Sequence, residues 1–127
     1  MPSEDIQFGV TVAAPGADSN EYTLFDNTAM TPPVNLAQNG IDRIQVSVPD
    51  TAGSCSLKSY WKDKAGNWNL NSTTAVAAHG GLTGSAYDFE TVGFPEGFKV
   101  TWVNGGSAQT AWPPSVTGSR GQKASGV

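Results

Sequence analysis

At 127 residues the chain is one domain's worth of sequence, and its 15 glycines, 8 prolines and 14% charged residues leave few windows rich in helix formers. A net charge of −4 and an isoelectric point near 4.6, with seven Lys and Arg placed singly, argue against the basic patch of a nucleic-acid binder. No run approaches the roughly 18 apolar residues of a membrane span, and Cys55, the single cysteine, excludes an intramolecular disulfide.

Residues 1–5 read as an N-terminal arm. The first ten residues show no basic segment followed by an apolar run, so no secretory leader is expected in them. Ile6, Phe8, Val10 and Val12 then fall on even positions, the two-residue period of a half-buried strand. Ala14-Pro15-Gly16 breaks that strand and Asp18-Ser19-Asn20 reads as a loop. Tyr22–Phe25 is a short strand, Thr31–Leu36 is extended because residues before proline avoid the α region, and Asn39-Gly40 turns the chain.

Ile41–Val48 alternates cleanly, with Ile44, Val46 and Val48 on one face. In Cys55–Trp61 the residues Cys55, Leu57 and Trp61 point inward while Lys58, Tyr60 and Lys62 point outward. Asp63-Lys64-Ala65-Gly66-Asn67 has hairpin-loop length with a late glycine, and Trp68-Asn69-Leu70 starts the return strand, which predicts a Trp61–Trp68 cross-strand pair. Ala75–Ser85 is a small-residue connection. Tyr87–Gly106 reads as a hairpin: Tyr87 and Phe89 alternate on one side of Pro95-Glu96-Gly97, Phe98, Val100 and Trp102 on the other. Ala108–Trp112 is the last predicted strand, stopped by Pro113-Pro114, and residues 115–127 form a flexible C-terminal tail. About eight short strands predict an all-β, antiparallel β-sandwich or jelly-roll-like fold over residues 6–114.

The chemistry-bearing residues are sparse. His79 is the single histidine and lies in a Gly-rich loop, no G-x-S-x-G elbow occurs, and one His with one Cys makes no zinc site. Cys55, at the parity of Leu57, reads as a small buried hydrophobe. Asp88 and Glu90 leave one strand face about 7 Å apart, a spacing compatible with glycosidase carboxylates but commoner on a solvated face. The expectation is a non-enzymatic protein with no cofactor, no metal, no nucleic acid and no membrane. Asn71-Ser72-Thr73 matches a glycosylation sequon, which matters only on a secretory route. Of four tryptophans, Trp61, Trp68 and Trp102 share parity with Leu57, Leu70 and Val100 and are assigned to the core. Trp112, before the prolines, stands apart, and Tyr60 points outward.

The runs PVNLAQNGIDRIQVSV, SLKSYWKDKAGNWNL and YDFETVGFPEGFKVTWVNGG together resemble small all-β structural proteins of tailed-bacteriophage virions, in particular capsid decoration (cement) proteins. The resemblance covers about three-fifths of the chain and is one of pattern. It implies a virion protein on the outer capsid surface, assembled in the host cytoplasm, often a homotrimer, that binds the lattice of the major capsid protein. The chain ends then become docking arms, with Pro2, Glu4, Ile6, Tyr60, Trp112, Pro113, Pro114 and Arg120 as candidate partner-docking residues. The alternative is a carbohydrate-binding or adhesin-type β-sandwich module with Tyr60 or Trp112 as its aromatic platform.

Overall fold

A computed structural model describes residues 5–76, 85–93 and 96–120. They form eight strands: β1 (Ile6–Phe8), β2 (Glu21–Asp26), β3 (Ile41–Val48), β4 (Cys55–Lys62), β5 (Trp68–Val76), β6 (Ser85–Glu90), β7 (Phe98–Val103) and β8 (Ser115–Arg120). The strands pair antiparallel as β1·β8, β2·β7, β3·β6 and β4·β5, so the first half of the chain lies against the second half in reverse order. That is one long hairpin with its apex at the β4–β5 turn. It is rolled into two four-stranded sheets, β1-β8-β3-β6 and β2-β7-β4-β5, joined internally by β3·β8 and β4·β7. An eight-stranded antiparallel sandwich with this wrapping is a jelly roll.

Of the described connections between consecutive strands, only β4–β5 stays within a sheet. This corrects the predicted hairpin at Tyr87–Gly106: β6 pairs with β3 in one sheet, and β7 pairs with β2 and β4 in the other. Alternation reports that a strand is half buried but does not name its neighbour, and an arch between sheets uses the same turn residues as a hairpin. Phe94 and Pro95 of that turn lie outside the described residues.

The core is built where inward residues of the two sheets interdigitate. Phe25, Phe98, Val100, Trp102 and Leu57 from one sheet meet Ile44, Val46, Phe89 and Val116 from the other. Each large side chain so buried contributes roughly 2–3 kcal/mol. Phe8 of β1 crosses the gap to Phe25 of β2, ring centres 5.0 Å apart. The predicted strand Ile6–Val12 pairs only over Ile6–Phe8, although Val10 and Val12 still pack on the core.

The C-terminal boundary also moves. Ala108–Trp112 is irregular, and Ser115–Arg120, expected in the flexible tail, is a strand between β1 and β3. The sandwich therefore extends to Arg120, and residues 121–127 lie outside the described residues. The strand was hidden because β8 brings little apolar volume of its own. Val116 is fully buried, while at Gly118 the Phe8 ring and Ile41 fill the space a side chain would take: a Cβ there would lie 2.7 Å from the ring.

Candidate functional site

The outer face of the β2-β7-β4-β5 sheet gathers the most distinctive exposed chemistry. Alternation sends Lys58, Tyr60 and Lys62 of β4 and Lys99 and Thr101 of β7 away from the Leu57 side. Tyr60 lies opposite Lys99 on one side and Leu70 on the other, and Lys62 lies opposite Trp68. This corrects the assignment of Trp68 to the core beside Leu70: Leu70 is 56% exposed, and both share the Tyr60 face. A bulge between Ser59 and Tyr60 gives β5 one extra residue, Asn71, which reverses the parity of the strand on its far side. The predicted Trp61–Trp68 cross-strand pair is replaced by Trp61 opposite Asn69 and Phe98.

The lysines are held against the rings. The Lys99 ammonium lies 4.8 Å from the Tyr60 ring centre and 4.6 Å from that of Trp68, and the Lys62 ammonium is 5.2 Å from Trp68. Such contacts contribute about 0.5–1 kcal/mol each at exposed sites, which offsets part of the entropy lost in fixing a lysine. Trp68 is seated over Gly97, where a Cβ would come within 3.2 Å of the indole and 2.9 Å of Thr28. Only glycine leaves that seat open.

Glu21 of β2 supplies a carboxylate to the same face. Its Oε2 accepts hydrogen bonds from the Tyr60 and Thr101 hydroxyls, each at 2.5 Å. Partial burial works to raise its pKa, but the bonds from Thr101 and Tyr60 and the charges of Lys58 and Lys99 outweigh it and hold the group below the ordinary glutamate range. Burial, reinforced by Glu21, pushes the Tyr60 phenol up. Four of the chain's five lysines, Lys58, Lys62, Lys64 and Lys99, belong to β4, β7 or the β4–β5 turn, so this sheet gathers most of the lysine charge of an acidic chain, set beside the carboxylates of Glu21, Asp26 and Asp63.

The outer face of the other sheet is different. Asp88 accepts a hydrogen bond from Gln45 Nε2 at 3.1 Å and lies 3.9 Å from Arg43, which is opposite Glu90 in register. The Asp88–Glu90 pair is thus part of a polar strand face with a cation and an amide between the strands.

The predicted docking residues do not converge. Tyr60 lies on the lysine and aromatic face. Ile6 sits in β1 opposite Gly118, half buried against the core. Trp112 packs edge-on to Trp102, ring centres 5.4 Å apart, and donates its Nε1 to Val12 O at 2.9 Å. Pro114 is buried, and Pro113 helps line a shallow cavity of about 330 Å³ with Val48, Pro49 and Ala86. Arg120 donates its Nε to Asn39 O at 2.9 Å. Pro2, Glu4 and His79 lie outside the described residues.

Trp68, Leu70 and Glu21 are the face residues that sequence reasoning missed, whereas Lys62 and Lys99 are legible as outward from the period of their own strands. A signal was present in Lys58-x-Tyr60-x-Lys62, three outward residues of one strand carrying two cations around a ring.

No protein-family model matches the chain, and no curated protein matches it. Among solved structures, it is similar to the SPBc2 prophage-derived protein YomS, with a TM-score of 0.49 and 16% identity over 94% of each chain.

Proposed function

We propose that this chain is a non-enzymatic structural protein of a tailed-phage virion that decorates and stabilises the capsid by binding the major capsid protein lattice from outside. The observation that carries this reading is the outer face of the β2-β7-β4-β5 sheet. It has the anatomy of a protein-binding surface: an aromatic and aliphatic centre of Tyr60, Trp68 and Leu70 ringed by charge. Two further supports are the pattern resemblance to decoration proteins and the jelly roll itself, a fold also used by viral capsid and lectin domains. The fold enters only as analogy, since function resides in the site.

The glycan-binding alternative is weakened on two counts. The Trp112 indole is committed to Trp102 and Val12, and the rings of Tyr60 and Trp68 already carry an ammonium group. Purified chain is expected to bind expanded capsids and not unexpanded ones, and to raise the melting temperature of the expanded shell. Unchanged shell stability at saturating protein defeats the proposal. Trimer formation belongs to the same reading and is checked by sedimentation.

A further inference from the structure

We infer that the lysine and aromatic face docks an acidic protein surface, whose carboxylates meet Lys58, Lys62 and Lys99 while an apolar side chain covers Leu70. The inference names the partner chemistry of the face on which the capsid-binding reading rests.

Carboxylate recognition is already on display within the fold. The Glu21 carboxylate is cradled by two hydroxyls, Tyr60 and Thr101, and held in the field of Lys58 and Lys99. The two hydroxyls each spend their one proton on Glu21, so a second carboxylate beside it is met by the ammonium groups of Lys58, Lys62 and Lys99. Lys62 lies opposite Trp68 in β5, and Lys99 lies between Tyr60 of β4 and Asp26 of β2, whose Oδ1 accepts from the Thr28 N–H and hydroxyl; both ammonium groups rest on the Trp68 ring. Fixing those ammonium groups on rings in the free protein reduces the ordering cost of binding.

The occupant's class follows from what surrounds the charges. Leu70 is more than half exposed beside Trp68, an apolar contact that a protein surface can cover and a bare polyanion cannot. A sugar ring would have to displace Lys99 from the rings it now covers. The rest of this chain is acidic, so long-range repulsion turns every other face away from an acidic partner and orients the encounter.

The test uses the full chain and two binding partners. The first is a ten-residue glutamate peptide followed by amide NMR shifts at low salt, and the second is the expanded capsid. Shifts are expected in β4, β5 and β7, and the Lys62→Gln/Lys99→Gln double variant is expected to weaken both interactions by about tenfold or more. Glu21→Gln, which keeps a hydrogen-bonding side chain but removes a negative charge, is expected to tighten peptide binding about threefold. Arg43→Gln on the opposite sheet is expected to change neither, and thermal melts confirm that each variant folds. Peptide shifts confined to other surfaces, or double-variant capsid binding equal to wild type, overturn the inference. So does tighter binding of heparin fragments or single-stranded DNA than of peptide at this face, which assigns it to a polyanion, or a lysine-dependent self-association, which makes the occupant a second copy. Peptide binding at the face with no capsid binding by the wild type removes the capsid reading and leaves the acidic-surface chemistry standing.

Discussion

The indole Nε1 of Trp102 donates to Oδ1 of Asn104 at 3.1 Å, tying the largest buried side chain to a buried amide two residues along the chain. The same oxygen accepts from Gln109 Nε2 at 2.9 Å, and Asn104 Nδ2 reaches the carbonyls of Gly16, Asp18 and Ser107. Gln109 in turn exchanges hydrogen bonds with the backbone of Ala52. Two amide side chains therefore hold three loops, β1–β2, β3–β4 and β7–β8, at one end of the sandwich. A jelly roll needs such ties, because its inter-sheet arches are not secured by hairpin hydrogen bonds.

Asn104→Ala leaves the buried Trp102 Nε1 without its acceptor, while the carbonyls of Gly16, Asp18 and Ser107 keep their other donors, Asp18 N, Gly106 N and Gln109 Nε2. The expected loss is about 1–3 kcal/mol, the scale of one buried donor left unsatisfied. It should be seen as a lower denaturant midpoint at unchanged slope.

Glycine substitutions should separate sharply by location. A Cβ at Gly105 would sit 1.8 Å from the Ser54 carbonyl oxygen, so Gly105→Ala requires the backbone to move. Gly118→Ala presses on Phe8 and Ile41 and is expected to cost about 1–3 kcal/mol, as overpacking does. Gly9, with open space around it, should accept alanine within about 0.5 kcal/mol. Thermal unfolding of the three variants checks the order Gly105, Gly118, Gly9.

Acid should destabilise the fold through specific carboxylates. Asp18 is lowered by the Tyr22 hydroxyl and the Asn20 backbone, Asp63 by the Asn67 backbone and Asn69, and Glu21 as described above. A carboxylate whose folded pKa is depressed stabilises the native state above its unfolded pKa and loses that contribution as pH falls through the folded value. Stability is expected to hold from neutrality down to about pH 4–5 and then fall. Glu21→Gln should flatten part of that fall in a pH series of denaturant melts, and an unchanged slope would show that its bonds to Tyr60 and Thr101 carry no stability.

Cys55 is buried at the same loop junction, and burial pushes its thiol up despite hydrogen bonds from the Gly105 backbone and Gln109. A protonated, covered thiol is a poor nucleophile. Labelling by an aromatic disulfide reagent at pH 8 should be slow in the native protein and fast in denaturant. Rapid native labelling would mean that the loop junction opens independently of the core.

Local patterning by itself established the strand-rich class, the inward residues of β3, β4, β6 and β7, and the outward face of Tyr60 with its two flanking lysines. Those features follow from a two-residue period and from proline and glycine punctuation, which are properties of short windows. Tertiary structure decided which strands pair, because a strand's inward face is the same whether its neighbour is a hairpin partner or the other half of the chain. It also decided the fate of β8, whose glycine and serines form a strand only because Phe8, Ile41 and β3 supply the missing volume and hydrogen bonds. The candidate face lay beyond the sequence for one reason: the extra residue Asn71 reverses the parity of β5, turning Trp68 and Leu70 out to join Tyr60, Lys62 and Lys99. A bulge is settled by two strands fitting together, and no window of one strand contains it.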